Sequence, residues 1–162
     1  ADHGVFHGEL RAENIVIKAD GSYALPPFTF YTVMDEYAAL YIGQRDFSTR
    51  RHYFSITGKQ NAAYNAPEFW LENNRRSVRS LVYELGVLLF RLLTGKLPYQ
   101  GLYSAHLSDQ HCNAPIPDPR ALRPELPEVA AEIIRVALAK DEFERFANPS
   151  AFAQALDQLI CE

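Results

Sequence analysis

The sequence has few cysteines, no excess of positive charge and no long hydrophobic run. Its 162 residues carry 16 Lys and Arg against 20 Asp and Glu, a formal net charge of −4. This balance gives no support to a nucleic-acid or anionic-membrane partner, both of which favour a basic excess. Two cysteines without a CxxC motif indicate neither a disulfide framework nor a zinc site, so we expect a reducing, cytoplasmic setting. The longest apolar run, residues 85–90, is too short to cross a bilayer, so we predict no membrane segment in this chain.

What is present fits an ordinary globular chain, with 48% hydrophobic and 22% charged residues. A short β-branched segment at 15–18 and a returning strand at 23–25, on either side of Asp20-Gly21, predict a β-hairpin, because Asp-Gly accepts the positive φ of a tight turn. The apolar residues then predict helices over residues 80–93 and 129–139, and a weak helix is expected over residues 103–112. The first of these is apolar on nearly all sides, which indicates burial, and Gly95 is its predicted C-cap. A last helix is predicted to begin at Pro149, with Asn148 as its N-cap.

Motifs for cofactor or metal binding are scarce. The sequence contains neither a GxGxxG motif nor a P-loop. His106, His111 and Cys112 have side chains that can bind a metal, but we interpret them as solvated loop residues.

Residues 7–14, HGELRAEN, lie immediately before the first predicted strand and carry the most specific signal in the chain. The segment resembles the protein-kinase catalytic loop, HRDLKPEN. Three further segments repeat the kinase pattern in the expected order. They are YNAPE at 64–68, RSLVYELGVLL at 79–89 followed by LLTGKLPY at 92–99, and LRPELP at 122–127 followed by ALAKDEFERF at 137–146. The last pair resembles the end of bacterial-type Ser/Thr kinase domains.

This resemblance implies a mainly α fold, the helical C-terminal lobe of a protein kinase, with a short β-hairpin after the catalytic loop. Residues 1–162 would form a single partial domain. Its parts are a catalytic-loop region at 3–18, a hairpin and activation-segment equivalent at 19–68, and a helical remainder at 69–162. The N-terminal lobe has no counterpart in this sequence, since no Gly-rich loop precedes residue 7. We therefore expect an upstream N-terminal lobe or a protein partner to complete the domain.

The resemblance also assigns positions to the family's reacting groups. Glu9, Arg11 and Asn14 occupy the places of the loop Asp, Lys and Asn, and we interpret them as vestigial. Asn14 could still bind a metal. Pro27 stands where the metal-binding Asp of Asp-Phe-Gly belongs, although a competing alignment would use Asp35 instead.

Other matched positions concern support of the fold. Leu81 replaces an Asp that, in the family, anchors the backbone of the catalytic loop. Glu68 and Arg145 match a Glu–Arg ion pair of the family, and we assign them a structural role.

Two functions follow as hypotheses. The first is a catalytically impaired, pseudokinase-like signalling domain with a degenerate ATP site and no cofactor, acting as a regulatory or scaffolding protein-binding module. The second is a divergent Ser/Thr kinase that transfers the γ-phosphate of ATP to protein hydroxyls with Mg²⁺. In that case Glu9 would be the base, and Asn14 with Asp35 or Glu36 would bind the metal. A decayed fragment without a present role is a third possibility.

Overall fold

The computed structural model describes residues 15–24, 62–71 and 76–157. The chain divides into two compact units, Ala1–Ala62 and Ala63–Glu162. In the first unit the described residues form a hairpin, in which β1 (Val16–Ile17) pairs antiparallel with β2 (Tyr23–Ala24). Gly21 adopts a φ of +80° in the turn, and its N–H donates to the Lys18 carbonyl at 2.9 Å. The predicted hairpin is confirmed, with shorter strands than the sequence pattern suggested.

The described part of the second unit is helical. Its helices are α1 (Pro67–Leu71), α2 (Val78–Thr94), α3 (Ser104–Asn113), α4 (Glu128–Ala137) and α5 (Pro149–Asp157), with short 3-10 turns at Pro119–Ala121 and Glu142–Glu144. The central helix α2 packs against α4 and α5, and α1 packs against α3. These residues form the mainly helical C-terminal lobe that the resemblance implies. No helix among them is both long and apolar enough to span a membrane.

Local signals fix both ends of α2. Ser77 is the N-cap, and its hydroxyl accepts the Ser80 N–H at 3.1 Å while the Ser80 hydroxyl accepts the Ser77 N–H at 2.8 Å. This reciprocal capping box satisfies two backbone donors that the helix itself cannot. At the other end Gly95 has a φ of +74°, and its N–H donates to the Arg91 carbonyl. The predicted C-cap is confirmed, and the helix begins two residues earlier than predicted.

The core lies where α2 crosses α4 and α5, around the buried side chains of Val82, Ile133, Ala137 and Phe152. Helices α2 and α4 approach closely at Gly86, where a Cβ atom would lie 2.7 Å from the Cβ of Ala137. That separation is far below an ordinary van der Waals contact, so the position requires glycine.

Burial of α2 is less complete than its apolar sequence predicts. Val82 and Val87 are fully buried, whereas Leu92 near the C-terminal end is 58% exposed. At α5 the prediction is confirmed, because the Asn148 side chain accepts the Ala151 N–H at 2.9 Å and caps the first turn.

Candidate functional site

The sequence-predicted reacting groups fall in parts of the chain that the structure does not describe. They are Glu9, Arg11, Asn14, Pro27, Asp35 and Glu36. Their assignments therefore stay predictions. Leu81 lies in α2 and is partly buried. Its aliphatic side chain offers no hydrogen-bond acceptor, unlike the Asp of the family pattern.

Glu68 and Arg145, which are 77 residues apart in sequence, are brought together in a buried bidentate ion pair. Arg145 Nη1 lies 2.8 Å from Glu68 Oε1, and Nη2 lies 2.9 Å from Oε2. The Ser80 hydroxyl donates a further hydrogen bond to Oε1 at 2.6 Å. Burial alone would raise the pKa of Glu68, but the bonds from Arg145 and Ser80 outweigh it and hold the pKa below its usual range. Glu68 is therefore a buried carboxylate whose ionised form is stabilised by Arg145 and Ser80.

Arg145 uses its remaining donors on backbone carbonyls. Its Nε donates to Ala139 at 2.8 Å, Nη1 to Arg79 at 3.1 Å and Nη2 to Lys140 at 3.2 Å. One guanidinium thus ties α1, the start of α2 and the chain that follows α4 into a single cluster. The planar guanidinium of arginine can donate all of these hydrogen bonds at once, whereas the ammonium group of lysine has fewer donors and no fixed fork geometry.

A second buried glutamate, Glu84, lies one helical turn after Ser80 on α2. In the part of the chain that the structure describes, its Oε1 accepts one hydrogen bond, from Arg76 Nη1 at 3.2 Å. Arg76 also donates to the side-chain oxygen of Asn65 at 3.3 Å and lies 5.1 Å from the ring centre of Phe69. Burial raises the pKa of Glu84 to about 7; Arg76 opposes this shift and the nearby Glu68 charge adds to it. The sequence analysis missed this pair, because nothing in the family pattern or the local spacing marks it.

The interpretation of His111 as a solvated loop residue is wrong. His111 is completely buried in α3, and its Nδ1 lies 2.9 Å from the Tyr83 hydroxyl. Burial, helped by the nearby Lys140 charge, lowers the pKa of His111 to about 3, so the ring is neutral. The i, i+4 spacing of Leu107 and His111 on the inner face of α3 is the signal that could have revealed this burial.

His106, also interpreted as a loop residue, lies exposed on α3, and Cys112 is partly buried there. Within the described residues, no three side chains of the metal-binding types come together. The structure therefore gives no support to a metal site at these residues.

Lys140 holds the C-terminal end of α3 in place. Its Nζ donates to the carbonyls of Gln110 at 3.2 Å and His111 at 2.8 Å, and to the Tyr99 hydroxyl at 2.9 Å. These three bonds use every donor of the ammonium group. A cation at this end of a helix also complements its dipole.

Comparison of the sequence with known proteins finds bacterial serine/threonine-protein kinases. No protein-family model matches the chain. It is 28% identical over 142 residues to the serine/threonine-protein kinase PrkC of Bacillus subtilis, covering 88% of this chain and 20% of that protein. It is also 28% identical over 159 residues to the serine/threonine-protein kinase PknL of Mycobacterium tuberculosis, covering 98% of this chain and 36% of that protein.

The serine/threonine-protein kinase PknH of Mycobacterium tuberculosis gives a similar match, 26% identical over 159 residues, covering 98% of this chain and 23% of that protein. These matches support a C-terminal region of a kinase-superfamily domain. The chain spans between a fifth and just over a third of the length of these relatives. The buried Glu68–Arg145 pair is one part of the kinase pattern that the structure describes directly.

Proposed function

We propose that this kinase-superfamily chain is a catalytically impaired domain that regulates or scaffolds a protein partner. The observation that carries the proposal is a contrast within one chain. The fold-supporting pair, Glu68 and Arg145, is retained with bidentate geometry, whereas Pro27 stands in place of the metal-binding carboxylate.

Phosphoryl transfer depends on metal ions that neutralise charge on the transferred group, and carboxylates hold those ions. Proline at position 27 supplies no ligand for such an ion. Glu9 keeps a carboxylate in the catalytic loop, but its extra methylene moves the acceptor, and a displacement of about 1 Å can cost roughly a hundredfold in rate. Leu81 removes an acceptor from α2 as well. Together the three replacements favour binding over catalysis.

The second candidate is a divergent, active Ser/Thr kinase that uses ATP and Mg²⁺. The relatives named serine/threonine-protein kinases favour it, as do the retained Asn14 and the carboxylate of Glu9. In this candidate Asp35 or Glu36 would take over the metal.

We further propose that residues 1–162 act as one partial domain in the cytoplasm. An N-terminal lobe upstream in the parent protein, or a protein partner, would complete it. The relatives are several times longer than this chain, which agrees with the first arrangement.

Transfer of labelled phosphate from ATP by the parent protein, with Mg²⁺ present, separates the two candidates. The comparison is between the natural protein, Glu9→Gln and the matched control Glu13→Gln in the same loop. We expect all three to give the same background. Mg²⁺-dependent transfer that falls at least a hundredfold in Glu9→Gln, and is kept in Glu13→Gln, would establish the active kinase and refute the impaired domain.

A further inference from the structure

Two glutamates are buried near each other, Glu68 within α1 and Glu84 on α2, and their surroundings differ sharply. The Glu68 carboxylate accepts three hydrogen bonds, two from Arg145 and one from Ser80. Within residues 15–24, 62–71 and 76–157, the Glu84 carboxylate accepts one, from Arg76 at the longer distance of 3.2 Å. A buried carboxylate is stable as an anion only when donors replace the water it has lost. Glu84 is therefore the member of this cluster that takes up a proton most easily.

Arg76, the partner of Glu84, lies near enough to solvent to turn away from the carboxylate. The Arg76 side chain is 25% exposed, whereas that of Glu84 is only 8% exposed. Arg76 also holds Asn65 through Nη2 and lies over the Phe69 ring, so it connects α2 with the chain around α1. When Glu84 becomes neutral, the guanidinium loses its ion pair, which weakens its hold on the interior and lets it turn to solvent.

We propose that Glu84 is a proton-operated latch on residues 65–71: the ionised form holds Arg76 and, through it, Asn65, and the protonated form releases both. The step is a simple proton uptake from water by the carboxylate, with no other bond made or broken. This device does not depend on whether the domain is catalytic.

The charges that face Glu84 set the range in which the latch works. Arg76 favours the anion, and Glu68 on α1 disfavours it; Arg145 acts mainly on Glu68, which it already neutralises. With burial added, the pKa of Glu84 lies at about 7. Cellular changes in pH would then alter the fraction that is latched.

Trp70 is the single tryptophan of the chain and lies in α1, with its ring 5.4 Å from Phe69. Its fluorescence in the full 162-residue chain should therefore titrate with a midpoint near pH 7. Glu84→Gln, which mimics the protonated form, should abolish this titration and give the low-pH spectrum throughout. The control Glu132→Gln, an exposed glutamate of α4, should leave the titration unchanged.

A titration that persists with the same midpoint in Glu84→Gln would overturn the proposal, as would a flat profile in the natural chain. Arg76→Gln provides an independent test at a partly exposed position. Without the cation the Trp70 titration should be lost, and the midpoint of the Glu84 carboxyl itself should move upward. An unchanged carboxyl midpoint would contradict the latch. Carbon-13 spectra of the glutamate carboxyls supply a direct readout, since one resonance should titrate near neutrality. If all of them titrate in the ordinary range, the proposal fails.

Discussion

Replacing Arg145 by methionine tests the best-defined feature of the fold. The change removes both bonds to Glu68 and leaves that buried carboxylate with the Ser80 hydroxyl as its remaining donor. The carbonyls of Arg79, Ala139 and Lys140 lose their arginine donor as well. Removing one partner of a buried pair costs about 3–5 kcal/mol, a large share of the ~5–15 kcal/mol that stabilises a typical protein. With about 2–4 °C for each kcal/mol in a domain of this size, we expect the Tm to fall by ~6–20 °C.

Urea unfolding followed by circular dichroism measures the effect, with Arg135→Met as the matched control. Arg135 also pairs with a glutamate, Glu132, but its side chain is 64% exposed. An exposed pair of this kind contributes under ~1 kcal/mol. The double variant Glu68→Met/Arg145→Met should recover part of the loss, because it no longer leaves an unpaired buried charge. If Arg145→Met lies within about 1 kcal/mol of the natural chain, or costs no more than Arg135→Met, the reasoning is wrong.

Two further predictions concern the helical core and the buried histidine. Gly86→Ala would place a methyl group 2.7 Å from the Ala137 Cβ, so we expect the free energy of unfolding, measured in urea, to fall by about 1–3 kcal/mol. An unchanged free energy of unfolding would contradict the close approach. The pKa of His111 is lowered from 6.5 to about 3, so on acidification the unfolded chain binds a proton that the folded chain does not. The free energy of unfolding should therefore fall by about 2 kcal/mol as the pH is lowered from roughly 7.5 to 5. The pKa of Glu84 is raised from 4.5 to about 7, so its protonation stabilises the folded chain as the pH is lowered over the same interval, and this gain masks the loss. The loss should therefore appear in Glu84→Gln and vanish in Glu84→Gln/His111→Asn; a flat profile in the single variant would refute it.

Local rules account for the parts of the fold that the sequence predicts well. Apolar residues locate α2 and α4 to within about two residues, because each helix must bury apolar side chains. The caps at Gly95 and Asn148 follow from the backbone conformation and side-chain acceptor that each position needs. Such signals lie within a few residues of the structure they specify.

Contacts between residues that lie far apart in the sequence are harder to predict. The pairing of Glu68 with Arg145 could be predicted because a family pattern carries it, and no local spacing would have shown it. Lys140 and the α3 carbonyls lie about thirty residues apart and follow no pattern of that kind. His111 was misjudged because α3 is polar overall, so that one histidine within its narrow buried stripe looked like a surface residue.

The proposed replacement of the metal-binding carboxylate by Pro27 is tested most directly by thermal unfolding of the parent protein with ATP, with and without Mg²⁺. A metal–nucleotide complex at a hundred times its Kd would stabilise the fold by about 2.7 kcal/mol. We predict that Mg²⁺ adds nothing to any shift that ATP produces, because Pro27 cannot hold the ion. A Mg²⁺-dependent stabilisation that disappears in Asp35→Asn would contradict the account.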